Sequence, residues 1–215
     1  MRAVMGDATR EGSAWGLADV SRETLERLEA FEALVRKWTA AINLIAPGTV
    51  DDIRRRHTLD SAQLFALAPD HAGSWVDLGA GGGFPGMVIA ILAEGSGRQL
   101  DFRLVESDAR KCAFLEAATR ELGVRARVLR RRVEGSPFSP ADVVSARALA
   151  PLGKLLTLAA PWRNSGGVFL FPKGARVDAE LTEARRCWHM DVDRIASATD
   201  PQACVLRIRE CLRVG

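Results

Sequence analysis

The chain contains no tyrosine, and only four of its thirty basic residues are lysine. The missing tyrosine removes the Tyr-x-x-x-Lys pair that a nicotinamide-dependent oxidoreductase could use. Its four cysteines, Cys112, Cys187, Cys204 and Cys211, are scattered without CxxC or metal-ligand spacing. A zinc site and a disulfide framework are both excluded, and no other metal site is visible. No apolar run approaches the ~20 residues of a membrane span. Residues 1–12 lack the apolar core of a secretory signal. A cytoplasmic protein with reduced thiols and no membrane contact is expected. Net charge is only +3, so the field of the whole protein does not announce a polyanionic partner. There are no internal repeats and no low-complexity segments.

What the chain does have is Trp75–Ala90, W-V-D-L-G-A-G-G-G-F-P-G-M-V-I-A. Trp75-Val76-Asp77-Leu78 reads as a short buried strand. The glycines after it, Gly79, Gly81, Gly82, Gly83 and Gly86, permit positive φ and let a ligand approach the backbone. An apolar helix then opens near Pro85. Peptide N–H groups left bare at its start are expected to receive a polar or anionic group. Two nucleotide ligands fit. Gly81-x-Gly83-x-x-Gly86 satisfies the dinucleotide pattern, a weak signal alone. Asp77-x-Gly79-x-Gly81-x-Gly83 instead resembles the first motif of class I S-adenosylmethionine (AdoMet) methyltransferases. Both ligands want an acid at the end of the next strand to hold ribose hydroxyls. Asp101–Glu106 supplies Glu106, 23 positions beyond Gly83 and close to the roughly 20-residue spacing of a βαβ unit.

Residues 1–20 are expected to lack fixed structure. Ser21 caps a long amphipathic helix in which Leu25, Leu28, Phe31, Val35, Trp38, Ile42 and Ile45 recur at intervals of three and four, ending at Pro47-Gly48. A second helix covers Asp51–Ala68 and stops at Pro69. Residues 21–70 are thus an N-terminal helical part, its apolar stripe packing against the next domain. From residue 71 to 215 strands and helices alternate. Helices are expected at Pro85–Glu94, Asp108–Leu122, Pro151–Ala160 and Val177–His189. Strands are expected at Asp101–Glu106, Ala126–Arg130, Asp142–Ala146, Gly167–Phe171, Val192–Ala196 and Ala203–Arg209. This pattern implies an α/β fold with a doubly wound, mostly parallel, Rossmann-like sheet and an N-terminal helical extension.

Ligands of such sheets sit at the carboxyl ends of the strands. Asp77–Gly83, Glu106-Ser107, Arg132–Glu134, Ser145–Arg147 and Phe171–Gly174 should therefore line one cleft, with His71 and His189 outside it. The cleft has no Asn-Pro-Pro-aromatic sequence for methylating exocyclic amines. No cysteine follows the fourth strand for covalent attack on cytosine. An acceptor that is already nucleophilic, such as a ring nitrogen, needs no general base. Guanine N7 is one, and arginine is the common partner of guanine O6 and N7, so Arg147 could orient the base or hold a phosphate. The clusters Arg54-Arg55-Arg56 and Arg130-Arg131-Arg132 suit phosphate contacts. The arginine excess reads equally well as the residue of GC-rich coding.

Together these segments resemble the GidB (RsmG) family of 16S ribosomal RNA guanine-N7 methyltransferases. The resemblance rests on Trp38 with Asn43-Leu44-Ile45, Arg56-His57-x-Leu59-Asp60-Ser61, and Gly83-Phe84-Pro85-Gly86. It continues in Glu106-Ser107, Arg110-Lys111, Phe114-Leu115, Arg132-Val133-Glu134, Ser145-x-Arg147-Ala148 and Lys173-Gly174, covering about residues 25 to 175. It implies AdoMet as cofactor, the decoding region of small-subunit rRNA as substrate, and a separate N-terminal helical part; a monomer without a protein partner is expected. Asp77, Gly79, Ala80, Gly81 and Phe84 would shape the cofactor loop, with Glu106 and Ser107 at the ribose. Val133 and Glu134 would flank the adenine, and Arg147 would reach both cofactor and acceptor. Arg132, Arg147 and Lys173 would face the RNA or its target guanine. His57 and Asp60 belong to the helical signature, as a buried polar pair or as catalytic groups. The family often carries an arginine near the final strand, where this chain has Gln202-Ala203-Cys204.

Overall fold

The computed structural model describes residues 20–134 and 139–214. The expectation for residues 1–20 therefore falls, except at Val20, outside the described residues. Helix α1 (Arg22–Thr39) starts where Ser21 Oγ accepts from Thr24 N–H at 3.3 Å, with Glu23 in its first turn and Arg36 and Lys37 in its last. These placements suit the cap and the helix dipole. The helix is shorter than its apolar spacing implies, because the chain leaves it after Thr39. Leu44 and Ile45 are buried nonetheless, by a loop that lies over the glycines rather than by a helical face. Pro47–Thr49 then forms one 3-10 turn.

The expected second helix is divided. Arg54–Leu59 is a π-helical turn, which runs into α2 (Asp60–Leu67). Such wide turns inside helices are often found at functional sites. Strands and helices then alternate as β1 (Ser74–Leu78), α3 (Gly86–Gly95), β2 (Asp101–Glu106), α4 (Ala109–Glu121), β3 (Ala126–Arg130) and β4 (Ala141–Ser145). They continue as α5 (Leu152–Ala159), β5 (Arg163–Lys173), α6 (Val177–Ala184), β6 (Trp188–Ala196) and β7 (Cys204–Arg213). The helix expected to reach His189 stops at Ala184. Trp188 is buried and pairs with Arg213, so Trp188 and His189 begin β6 instead. β5 is longer than expected at both ends and carries Pro172 within its pairing to β7.

The seven strands lie in the order β3-β2-β1-β4-β5-β7-β6. β1 to β5 are parallel, and β7 runs antiparallel between β5 and β6. Chain order reverses between β1 and β4, so the crevice outside their carboxyl ends is the natural ligand site. α1 to α4 cover one face of the sheet and α5 and α6 the other. None of the described helices is long and apolar enough to cross a membrane.

The N-terminal helices share the core of the sheet. Leu25, Leu28, Phe31 and Val35 form the buried face of α1. Phe31 lies 5.1 Å, ring to ring, from Phe84 of the glycine loop and 6.4 Å from Phe114 of α4, and Trp38 is 5.6 Å from Phe114. Glu32, buried on the same face, accepts from Thr58 Oγ1 at 2.8 Å and ties α1 to the π turn. Arg36 and Arg54 stand 3.7 Å from its carboxylate, whose pKa burial raises despite them. Phe31→Ala should lower stability by about 3–5 kcal/mol, the cost of deleting a buried aromatic ring. Urea unfolding with an unchanged slope would measure it; a loss under about 1 kcal/mol would mean that α1 is not part of this core.

Candidate functional site

Side chains alternate across a strand, so Trp75 and Asp77 leave β1 on the face covered by α3. Register sets Asp77 beside Ser145 of β4. Trp75 Nε1–H donates to Ser145 Oγ (2.9 Å), and Ser145 Oγ donates to Asp77 Oδ1 (2.7 Å). Gly86 N–H, at the start of α3, donates to Asp77 Oδ2 (3.0 Å). All three side chains are fully buried. Asp77 is thus an organiser of the loop, as the motif implied, and does not line the cavity, as its place at the strand end suggested. Ser145 is likewise internal. Gly86 has no room for a side chain: a Cβ there would press on Leu104 and come within 2.7 Å of Asp77 Oδ2.

The same hydrogen bonds correct the expectation of bare peptide donors. Gly79 and Ala80 N–H both donate to Val105 O, Gly83 N–H to Ala80 O, and Met87 N–H to Gly83 O. Gly81 N–H donates to Glu106 Oε2 at 2.9 Å. Pro85 has no N–H. Most of the loop's donors are thus spent on β2 and on the loop's own carbonyls, which makes it a poor phosphate cradle of the kind a dinucleotide requires, although Gly82 and Phe84 N–H donate to no group among the described residues. It remains a close-approach surface, with φ of +69° at Gly79, +54° at Gly81 and +86° at Gly83.

Two cavities open at the carboxyl ends of the strands. The first, of about 600 Å³, is lined by Gly79–Gly82, Phe84, Glu106-Ser107, Arg131–Glu134 and Arg147. That volume is in the range of cofactor sites. Glu106 stands at its rim with Oε1 accepting from Ser107 and Asp108 N–H (2.6 and 2.8 Å). Three backbone donors thus fix this carboxylate, and its remaining lone pairs suit hydroxyl groups of a ligand. Val133 is buried, its carbonyl taken by Trp162 Nε1–H at 3.0 Å; Glu134 and Arg132 are exposed at the mouth. Leu44, Ile45, Ala46, Lys111, Leu149 and Leu158 also line the cavity and were not anticipated. Leu44 to Ala46 were hidden inside the supposed long helix. The one hint was the run of glycines opposite: a Cβ at Gly82 would lie 2.8 Å from Leu44 O.

The second cavity, of about 860 Å³, lies between the π turn, the β4–α5 connection, the end of β5 and the β6–β7 loop. Arg55, Arg56, Lys173 and Arg176 line it, as does Ala203, where the family often has an arginine. Lys173 Nζ donates to Glu180 Oε2 (2.7 Å) and Ala150 O (3.2 Å), so its charge is largely met within the protein. Arg55 clasps the β6–β7 loop through Thr199 O (2.9 and 3.1 Å). His71 and His189 line neither cavity.

Arg147 and its neighbours Ala148 and Leu149 border both cavities. Ala148 takes φ +53°, a conformation L side chains rarely adopt, where the chain turns after β4. The Arg147 guanidinium packs 5.4 Å over the Phe84 ring and donates to Arg56 O at 3.3 Å and to His57 Nδ1 at 2.8 Å. Asp60 Oδ2 is 3.6 Å away. Burial is the main influence on this arginine and works against its charge. Histidine and aspartate of the helical signature therefore act together on one residue of the sheet.

The strand order with antiparallel β7 and a glycine loop closed on Asp77 are those of a class I methyltransferase, not of a dinucleotide-binding sheet. A putative class I S-adenosylmethionine-dependent methyltransferase of Listeria monocytogenes shares this fold, with a TM-score of 0.59 over 83% of this chain and 68% of that one at 11% identity. The model of the GidB family, rRNA small subunit methyltransferase G, matches residues 24–203. The enzyme of that name from Rhodospirillum centenum is 52% identical over 89% of this chain and 86% of its own length. Its counterpart from Cereibacter sphaeroides is 50% identical over 91% and 95%. The chain belongs to the rRNA small subunit methyltransferase G family, and it is a methyltransferase.

Burial pushes the Asp77 carboxyl up to about 7, against the opposing hydrogen bonds from Ser145 and Gly86. The folded state then holds this proton more tightly than the unfolded chain, so the contribution of Asp77 to stability falls as pH rises from about 4 through about 7. Asp77→Asn should flatten that part of the stability profile. Urea unfolding of both proteins at about pH 5 and about pH 8 would show it, and an unchanged slope would remove Asp77 as the source.

Proposed function

We propose that this protein transfers a methyl group from AdoMet to N7 of a guanine in the decoding region of 16S rRNA, within the small ribosomal subunit. We place it in the cytoplasm, acting as a monomer. The observation that carries the reading is Arg147, standing on the wall common to a cofactor-sized cavity and a larger, arginine-lined one. Bound AdoMet supplies the electrophilic methyl carbon.

The chain supplies position and electrostatics. Gly79, Ala80, Gly81 and Phe84 let the cofactor lie close to the backbone, and Asp77 keeps that loop in place. Glu106 and Ser107 meet the ribose, and Val133 and Glu134 flank the adenine. A loop most of whose donors are internally satisfied suits a zwitterionic amino-acid moiety better than a pyrophosphate. Guanine N7 has a free lone pair, so the acceptor needs orientation and not deprotonation. The guanidinium of Arg147 can address the guanine O6 edge, while Arg132 at one mouth and Lys173 within the acceptor cavity meet RNA. Every hydrogen bond made to the incoming nucleotide counts toward the rate only if it also places N7 in line with the transferred carbon.

Tritium transfer from labelled AdoMet to undermethylated small subunits, naked 16S rRNA and tRNA tests this directly. Label is expected in 16S rRNA, mapping to guanine N7 by borohydride–aniline cleavage; label confined to tRNA or found nowhere would overturn the reading. Arg147→Ala should keep AdoMet affinity yet lose about a hundredfold or more in turnover. Asp77→Ala should lose AdoMet binding, because the loop that forms the cavity is no longer held; full affinity would refute that role.

A further inference from the structure

Arg147 leans on an acceptor whose protonation state the geometry fixes. Arg147 Nη2–H donates to His57 Nδ1 at 2.8 Å, and arginine offers no lone pair in return. Nδ1 therefore carries no proton. An imidazolium has donors at both nitrogens, which leaves the neutral ring protonated at Nε2. That N–H meets Thr49 Oγ1 at 2.8 Å, and the Thr49 hydroxyl donates onward to Ala46 O at 2.7 Å. The chain of donors has one direction, from Arg147 through His57 and Thr49 to the wall of the cofactor cavity. The ring also lies 5.1 Å from that of Phe84, which the guanidinium covers as well. Burial, then Arg147 just after β4 and Arg56 on the same turn, lower the His57 pKa to about 4; Asp60, the first residue of α2, lies 3.6 Å from Nη1 of the guanidinium.

We propose that His57 is a positioning residue for methyl transfer: as the Nε2–H tautomer, selected by Thr49, it holds the Arg147 guanidinium at the wall between the cavities without cancelling its charge. The inference rests on the reading of Arg147 as the group that faces the acceptor. A carboxylate at the same 2.8 Å would grip the arginine more strongly and would neutralise it toward an anionic substrate.

Two substitutions separate positioning from packing. His57→Asn retains an acceptor at the δ position and loses the ring; His57→Phe retains the ring against Phe84 and loses the acceptor. Positioning predicts that the Asn variant keeps most of the turnover, while the Phe variant loses about ten- to a hundredfold in kcat with AdoMet affinity unchanged. The reverse order would overturn the proposal. A second readout is independent of activity. The imidazole ¹⁵N shifts of His57 in the unmodified protein should show bare Nδ1 and protonated Nε2 at neutral pH, and Thr49→Val should give a mixture of tautomers. A protonated Nδ1 would overturn the proposal even in an active enzyme. The expected tautomer in a protein that methylates no rRNA would instead overturn the methyl-transfer reading alone.

Discussion

The buried carboxylate of Asp77 is the constraint on which the site depends. It accepts from Ser145 on one side and from the first peptide of α3 on the other. Through Ser145 it also fixes the Trp75 indole, which stacks on Phe102 at 5.8 Å. One side chain thereby locks β1 to β4 and to the helix that begins after the glycine loop. Taking a carboxylate out of water is costly, and its raised pKa expresses that cost. The cost is tolerable only because both oxygens are satisfied, and it returns a loop with one conformation. Gly86 follows from the same constraint, since the helix can approach Asp77 this closely only without a Cβ.

The helices before β1 complete this site. Phe31 fills the space beneath Gly83, where an added Cβ would come within 2.8 Å of its ring. Leu44 to Ala46 close the first cavity over Gly82, and the π turn delivers Arg56 O and His57 to Arg147. A π turn advances the chain by one residue more than an α-turn. Here that shift falls on the segment whose carbonyl and imidazole must reach across to another element. Asp60, one turn later, also accepts from Thr199 Oγ1 at 3.2 Å, so the same helix anchors the far wall of the second cavity.

Much of this could be read from the residues alone. β2 and β3 begin and end where they are expected, β2 as a strand buried from Phe102 to Glu106 and β3 as the half-exposed strand beside it at the edge of the sheet. Glu106, Arg147 and the glycine loop were expected to line one cleft because each follows the carboxyl end of a parallel strand, and they do line one cavity. The misplacements share a cause. Apolar periodicity reports which residues are buried, not which element buries them. Ile42 and Ile45 kept the helical rhythm of α1 while lying beyond its end, and Trp188 continued the pattern of α6 while starting a strand. Asp77 was expected to shape the glycine loop and does so, but the strand-end argument also set it on the cleft wall, where its burial does not leave it.

The arginine excess, ambiguous as composition, is sorted by position. On the β6–β7 ladder, Arg207 and Arg209 pair with Asp191 and Asp193 at 2.6 to 2.8 Å, and Arg194 pairs with Asp178 at 2.6 Å. Those charges cancel locally, in exposed pairs worth little to stability. Around the second cavity the arginines lean on neutral groups instead. Arg55 donates to the Thr199 carbonyl, and Arg147 to the Arg56 carbonyl and the uncharged His57. Asp60 stays at 3.6 Å from Arg147 and divides its oxygens among Gln63, Thr199 and that arginine. Lys173, bound to Glu180, meets a carboxylate at 2.7 Å, closer than Asp60 comes to Arg147. Neutral acceptors fix a guanidinium in space and leave its field intact, whereas carboxylates fix it and remove the field. A small net charge is then no obstacle to holding RNA, because positive potential survives where the protein needs it and is cancelled where it does not.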